Sequence, residues 1–479
     1  MKQHTNARTI PFPYSSHAKT PAARERSSRL LRRNLSARAQ FSDYNQRRMH
    51  RSVAYVVLCA SLASAQSDSD ADTVLNRVRA RIKEHLAQLP SYTCAQTIQR
   101  THRAARDGTF QLKDTVRLDV ALIDHREQFG WPDGKKFEDK ELRDMIRTGV
   151  VGTGNFALLT EHVFRAGAAD FKSRGGEIYE GRRVLQFDYD VPWENSRYHI
   201  GASGQDQVVA FRGSFLVDAD TLDLVRLEVV ADEIPPELKL DAVRSVLSYA
   251  KVTIGSGESL LPKASELTMV WLDGSASRNR TELGNCRQYT AQSKLVANDP
   301  PPATPVVAEE PQRSDPAELP RGVNIDVSLD SDIDLRTAAA GDAVSALLIR
   351  PLTVDGRTLA EPGAMLRGHI VRLDRLTRPF EFYEIALQFD TLDVQGASYD
   401  VSATLGSGGP AAGLIRQQKR MDPTFTAHRE ARLNVLVREV QRGQGVLQWE
   451  GKRPKISKGF RMRWRLDEVR LNSGERARR

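Results

Sequence analysis

Cysteine is scarce in this chain: three residues in 479, at positions 59, 94 and 286. No two form a C-x-x-C pair, which removes the zinc and dithiol redox motifs that need that spacing. The histidines beyond residue 65, at positions 85, 102, 125, 162, 199, 369 and 428, are isolated, with no H-x-x-x-H and no H-x-H. No metal and no cofactor is therefore expected. Motifs for nucleophilic or nucleotide chemistry are equally thin. "GASGQ" (201–205) has Ser203 without the second glycine of a nucleophile elbow, and "GVVGTGNF" (149–156) reverses the dinucleotide order and lacks a βαβ setting. The carboxylate pairs Asp218 with Asp220 and Asp232 with Glu233 fall in turns, where Asp shapes the backbone. "NRT" (279–281) matches a glycan sequon by chance. An enzyme is not expected; a hydrolase acting on envelope polymers is the third-ranked class.

What is present begins with an export signal. Arg47, Arg48 and Arg51 flank Met49, an apolar run extends from Ser52 to Leu62, and Ala63-Ser64-Ala65 supplies small residues for cleavage after Ala65. Eleven residues rise only about 16 Å as a helix, roughly half of a bilayer's hydrocarbon core, so no transmembrane span is expected in the mature chain. Cys59 would suit lipid attachment after a small residue, but Leu58 precedes it. The simplest account of residues 1–48 is a mis-assigned start, with a disordered Arg-rich extension as the alternative. Those residues carry 11 Lys or Arg against 2 acids. Without residues 1–65 the chain has 58 basic and 59 acidic residues, so the pI of 9.4 does not argue for a nucleic-acid partner. Residues 410–479 keep 18 basic against 7 acidic residues, a solvated face and frayed tail or a contact for anionic lipid or cell-wall polymer. A periplasmic or secreted protein is expected, and Cys94 and Cys286 would then form one disulfide closing a domain, with two buried thiols as the alternative.

The Pro-rich stretch "NDPPPATPVVAEEPQRSDPAELP" (298–320) reads as a linker. It divides an N-terminal unit, 66–297, from a C-terminal unit, 321–473, followed by a basic tail, 474–479. The first unit opens with a helix over 71–89, where Val74, Val78, Ile82, Leu86 and Leu89 share a face and Pro90 ends it. Eight strand-like runs follow, among them "TVRLDVALI", "VLQFDYDV", "LDLVRLEVVA" and "ASELTMVWLD", with helical patches at "NFALLTEHVFRAG" and "PPELKLDAVRSVLSYA". The C-terminal unit alternates around turns at Ala339–Asp342 and Glu361–Ala364. The fold class is mainly β (α+β): a curved antiparallel half-barrel with a long N-terminal helix and lid helices, plus a second small β-barrel or sandwich.

"GSFLVDADTLDLVRLEVVADEIP" with "YAKVTIGSGESLLPKASELTMVWLDGSASRNRTELGNC" resembles the strand-turn-strand pattern of the periplasmic lipoprotein-carrier superfamily, of the LolA and LolB type, over about half of the unit. "YTC" with "NCRQY" also resembles exported proteins of uncharacterised function in environmental bacteria. In the C-terminal unit, G-D-x-V-x-A-x-L-x-x-P followed by P-G-A-x-L-x-G-x-I is similar to the small barrel of scaffold proteins in conjugation and type IV secretion channels. The carrier resemblance implies binding of a lipid or acylated protein without catalysis. Helix 71–89 and the patch Asn155–Ala166 would be lids. Phe211, Phe215, Leu224, Leu227, Leu267, Met269 and Trp271, at alternating positions on neighbouring strands, would line the apolar cavity, or form the core if the helices fill it. The alternative function is an envelope scaffold whose C-terminal barrel makes protein contacts.

Overall fold

Two periodicities compete along the chain, and period two wins almost everywhere. The computed structural model describes residues 72–289, 319–415 and 442–471, save 124–125, 133–136, 138–141, 147–148, 153, 155–157, 203–204 and 378–379. These fall within one compact unit, Ser67–Arg479. The expected export signal, Cys59, all but the last two residues of the Pro-rich stretch read as a linker, and the basic tail lie outside the described residues.

A helix over 72–88, α1, carries the expected 3.6-residue pattern: Leu75, Val78 and Ile82 are buried at 8%, 0% and 3% exposure. An antiparallel sheet of eleven strands follows. Its first meander is β1 (Tyr92–Arg103), β2 (Gln111–Ile123) and β3 (Arg126–Gly130). Its second is β4 (Asp170–Tyr179), β5 (Arg182–Val191), β6 (Tyr198–Ala202), β7 (Gln205–Asp218), β8 (Leu224–Asp232), β9 (Leu240–Ile254), β10 (Gly257–Trp271) and β11 (Ala276–Gln288). The spatial order is β3-β2-β1-β11-β10-β9-β8-β7-β5-β4, with β6 also on β7. Pairing of β1 with β11 therefore makes one sheet of two meanders. The Cys94–Cys286 disulfide joins the same two strands across a separation of 192 residues, beside a register shift between Thr93 and Ala95.

The helical patch expected at 235–250 is a strand. Only Pro236–Leu238 forms a 3-10 turn, and Leu240–Ile254 is β9. Its buried positions 243, 245 and 247 alternate, but the middle one is Ser245. A polar residue inside the face leaves Val243 and Leu247 four apart, which imitates a helix. Strands β3, β4 and β6 also escape the sequence reading; β4 is an edge strand whose Phe171 reaches the core while Arg174 to Ile178 are exposed, so its alternation is short.

The sheet order dictates where the remaining helices lie. The chain leaves edge β3 and must re-enter at the opposite edge, β4, so the connection crosses a face of the sheet. It carries α2 (Leu142–Met145) and α3 (Leu158–Phe164). Leu142 packs with Cys94, Val116 and Val120, whereas Leu159 and Val163 pack with Phe187, Phe211 and α1.

The second sheet has seven strands: β12 (Asn324–Leu329), β14 (Ala343–Leu348), β17 (Met365–Leu376), β18 (Phe382–Val394), β19 (Ala397–Gly408), β20 (Gly445–Glu450) and β22 (Arg461–Leu471). Two short pairs, β13 (Ile333–Asp334) with β21 (Lys455–Ile456) and β15 (Leu352–Val354) with β16 (Arg357–Ala360), flank it. Pairing runs β17-β14-β12-β22-β19-β18 and returns through β17–β18, so the ring of strands closes. Trp464 and Phe389, both fully buried, meet edge to face at 4.9 Å inside it. Both expected turns form: Asp342 donates its N–H to Ala339 O at 3.1 Å and Ala364 to Glu361 O at 3.2 Å.

The first of these turns also joins the two sheets. Arg117 N–H donates to Ala340 O at 2.7 Å, Ala340 N–H donates to Thr115 O at 3.0 Å, and the Arg117 side chain pairs with Asp342. The rings of Trp131 and His369 meet nearby, tilted at 37° with centroids 4.6 Å apart. Gly341 makes this approach possible: its φ is +98°, and a Cβ there would lie 2.0 Å from Arg117 O. Gly341→Ala is accordingly expected to disrupt the joint while leaving each sheet folded. Limited proteolysis should then release the two halves through the linker region faster than in the parent, and an unchanged digestion rate would contradict this.

Candidate functional site

One row of residues, paired strand by strand, crosses the helix-bearing face: Phe187, Phe215, Leu227, Leu247, Ser265, Thr281, Ile98 and Val116. All are buried. The row is apolar at both ends and polar in the middle. The neighbouring row runs Ser245, Leu267, Asn279, Arg100 and Asp114, polar except for Leu267, and its last two residues form a buried ion pair. Ser265 Oγ and Gln96 Oε1 are buried there without a hydrogen-bond partner among the described residues. Asn279, the sequon residue, is buried and donates to Val150 O at 2.9 Å, which excludes it as a glycan acceptor in this fold.

The seven residues singled out for an apolar cavity occupy this face in two groups. Phe211, Phe215, Leu224 and Leu227 are 1%, 0%, 2% and 0% exposed and share one core cluster with Leu75, Val78 and Ile82 of α1 and Leu159 and Val163 of α3. Phe215 is the hub of an aromatic cluster, with Phe164 at 5.0 Å, Phe187 at 5.1 Å and Phe171 at 6.0 Å. Leu267 and Met269 belong to a separate cluster with Ile200, Leu238 and Val243, and half-buried Trp271 packs against its side.

The open space lies at the end of the first group, under α1. Ile82, His85, Leu86 and Leu89 of α1 and the following turn face Tyr92, Thr160, Leu224, Tyr249, Leu260, Leu261 and Pro262. Of the seven candidates, Leu224 alone lines it. The space open to the centre of a water molecule is about 30 Å³, room for one or two waters and not for an acyl chain. Tyr249 and Thr160 hydrogen-bond through their hydroxyls across the pocket, tying α3 to β9. Burial pushes the phenols of Tyr249 and Tyr92 up, so both remain neutral donors at physiological pH. A larger depression of about 500 Å³ lies on the second sheet, beside Trp449, Phe460 and Gly409. Two of its cations, Lys455 and Lys458, are held by Asp332 and Asp330 at 2.7 and 3.2 Å.

A polar clamp that the sequence reading missed closes the mouth of the α1 pocket. Asp223, in the turn before β8, accepts from His85 Nε2 at 3.0 Å, from Arg81 Nε at 3.4 Å and from Lys251 Nζ at 3.0 Å. Two of the three donors are on α1, so the clamp fastens the helix to the sheet. Asp223 is only 8% exposed. Burial by itself would raise its carboxyl, but the hydrogen bonds from Lys251 and His85 and the charge of Lys251 hold it below its ordinary value. A lone Asp after "DADT" carries no sequence signal for this role, because its partners lie 28 to 142 positions away. Among the described residues no three His, Cys, Asp or Glu side chains gather as a metal site requires, and no helix is long and apolar enough to cross a membrane.

No protein-family model matches the chain, and no curated protein matches it in sequence. Several solved structures resemble it. A protein of the DUF1329 family from Desulfovibrio piger shares 10% identity at a TM-score of 0.25, covering 44% of this chain and 90% of its own. A LolA superfamily protein from Nitrosomonas europaea shares 11% at 0.24, covering 44% and 91%. A domain assigned to outer membrane lipoprotein sorting from Vibrio parahaemolyticus shares 12% at 0.25, covering 47% and 94%. Likeness at these scores decides nothing about a ligand or an activity.

Two outcomes follow from this geometry. Phe215→Asp places a charge in an aromatic cluster without water access, and the expected result is unfolding, seen as loss of the near-UV circular dichroism signal. For Asp223, the folded-state pKa lies below the unfolded one, so its contribution is present above about pH 4 and is lost as the pH falls through the folded value. Amides of α1 should therefore lose hydrogen-exchange protection in acid before those of the sheet. Asp223→Asn should weaken that protection at neutral pH and flatten its acid dependence; an α1 profile identical to the parent would contradict the clamp.

Proposed function

We propose that this is an exported, non-enzymatic protein of the cell envelope, periplasmic or secreted, whose N-terminal sheet binds a lipid or the acyl chains of an acylated protein in a curved face beneath α1. The observation that carries the reading is the apolar pocket under α1, closed by a polar clamp instead of continuous packing. In this reading α1 and α3 are lids. Phe211, Phe215, Leu224 and Leu227 form the wall that becomes available as α1 lifts, with Leu224 at the entry, and Leu267, Met269 and Trp271 extend the same face beyond it.

The energies are compatible with such a lid. Exposing three buried apolar side chains of α1 costs roughly 5 to 9 kcal/mol, at about 1.5–3 kcal/mol each. An acyl chain of about a dozen methylenes gains close to that on burial, at ~0.8 kcal/mol per methylene. A long chain can therefore replace the helix at little net cost, whereas a short one cannot. The resemblance of the β7–β8 hairpin and the "LLPKASEL" segment to lipoprotein carriers agrees with this reading.

Native mass spectrometry of the protein, purified from an envelope extract without detergent or reductant, provides the test. A defined extra mass of lipid size, lost on denaturation, is expected. Leu260→Trp, which adds bulk at the pocket wall, should fold and lose that mass. A bare polypeptide that also fails to take up added lipid would overturn the proposal and favour the scaffold role, to be pursued by crosslinking.

A further inference from the structure

The edge of the α1 pocket holds two cations, Arg81 and Lys251, two carboxylates, Asp223 and Glu84, and the imidazole of His85, and their exposures differ in a way that matters for a ligand. Asp223 is 8% exposed, whereas Arg81, His85 and Lys251 around it are 38%, 23% and 48% exposed. The carboxylate is the buried partner, and the Arg81 and Lys251 side chains around it are open to the solvent. Arg81 has five N–H donors, of which Asp223 and Glu84 each take one; Lys251 has three and gives one to Asp223. Glu84 is a surface group, 53% exposed, held to Arg81 at 3.4 Å and easily exchanged. His85 belongs to both the clamp and the pocket wall, so the charged mouth and the apolar interior are contiguous.

The geometry points to an amphiphile with an anionic head group as the ligand class: the chain occupies the space that opens beneath α1 as the helix lifts, and a carboxylate or phosphate at its end is received by Lys251 and Arg81. This rests on the reading of the pocket as an acyl-chain site. A neutral head would gain nothing from the surplus donors, and a cationic head would be repelled. An anionic head adds charge-assisted hydrogen bonds without removing Asp223 from its own partners, because the cations have donors to spare.

The test compares cis-parinaric acid with its methyl ester, two probes that differ in head charge alone, by fluorescence titration of the delipidated protein. The acid should bind about tenfold tighter than the ester, and the difference should shrink in high salt. In Arg81→Gln/Lys251→Met the ratio of acid to ester affinity should fall toward one, whatever the weakened clamp does to ester binding itself. If the double variant loses the ester too, its fold is affected, and the wild-type ratio with its salt dependence decides. Equal affinities for acid and ester in the parent would overturn the head-group assignment and leave the acyl-chain reading standing; binding of neither probe would overturn both. Displacement of the acid by dodecanoate or by dodecyl phosphate then tells which anion fits better.

Discussion

Pairing between β1 and β11 is the interaction on which the rest of the N-terminal architecture depends. It brings together strands nearly 200 positions apart and turns two meanders into one sheet of eleven strands. With that order set, β3 and β4 become opposite edges, and the chain between them has no route except across a face. The helices are on that face for topological reasons before any question of packing arises. The disulfide sits where the ordering cost is largest, since closing so long a loop is the most expensive chain-entropy step in the sheet.

The face that receives the helices is not uniformly apolar. Its flanks, around Phe215 and around Val116, are two separate apolar clusters, and between them runs a buried strip that includes Ser245, Ser265, Asn279 and Thr281. Apolar burial holds α1 over one flank. Toward the pocket end that packing gives way to the Asp223 clamp, which a change of ionisation or a competing anion can weaken, whereas aliphatic packing responds to neither. A helix held partly by charge is easier to release selectively than one held by packing alone.

The second sheet closes on itself, so it presents few edges for assembly, yet it is joined to the first by backbone as well as side chain. The G-D turn is an ordinary hairpin feature in sequence. In the fold it is a docking point: Ala340 adds a bridge to the part of β2 that β3 leaves unpaired, and Gly341 lets the backbones meet. Local pattern could identify the turn, but no local pattern states what a turn will touch.

The amino-acid sequence alone determined what depends on neighbours along the chain: the helix at α1, most strands with clean alternation, both turns of the second sheet, and two cysteines that bracket one sheet. It misled at β9, where Ser245 interrupts the apolar stripe, and it was silent on β4, where the exposed run from Arg174 to Ile178 cuts the stripe short. The seven aromatic, aliphatic and Met residues were legible as one face of a sheet because period-two alternation specifies sides. Whether that face is filled or open, and that Asp223 meets Arg81, His85 and Lys251 at its mouth, belonged to the tertiary structure. The physical reason is distance: cavity and clamp are both made by α1 lying on strands more than a hundred residues away, and only the edge-to-edge order of the sheet brings those partners together.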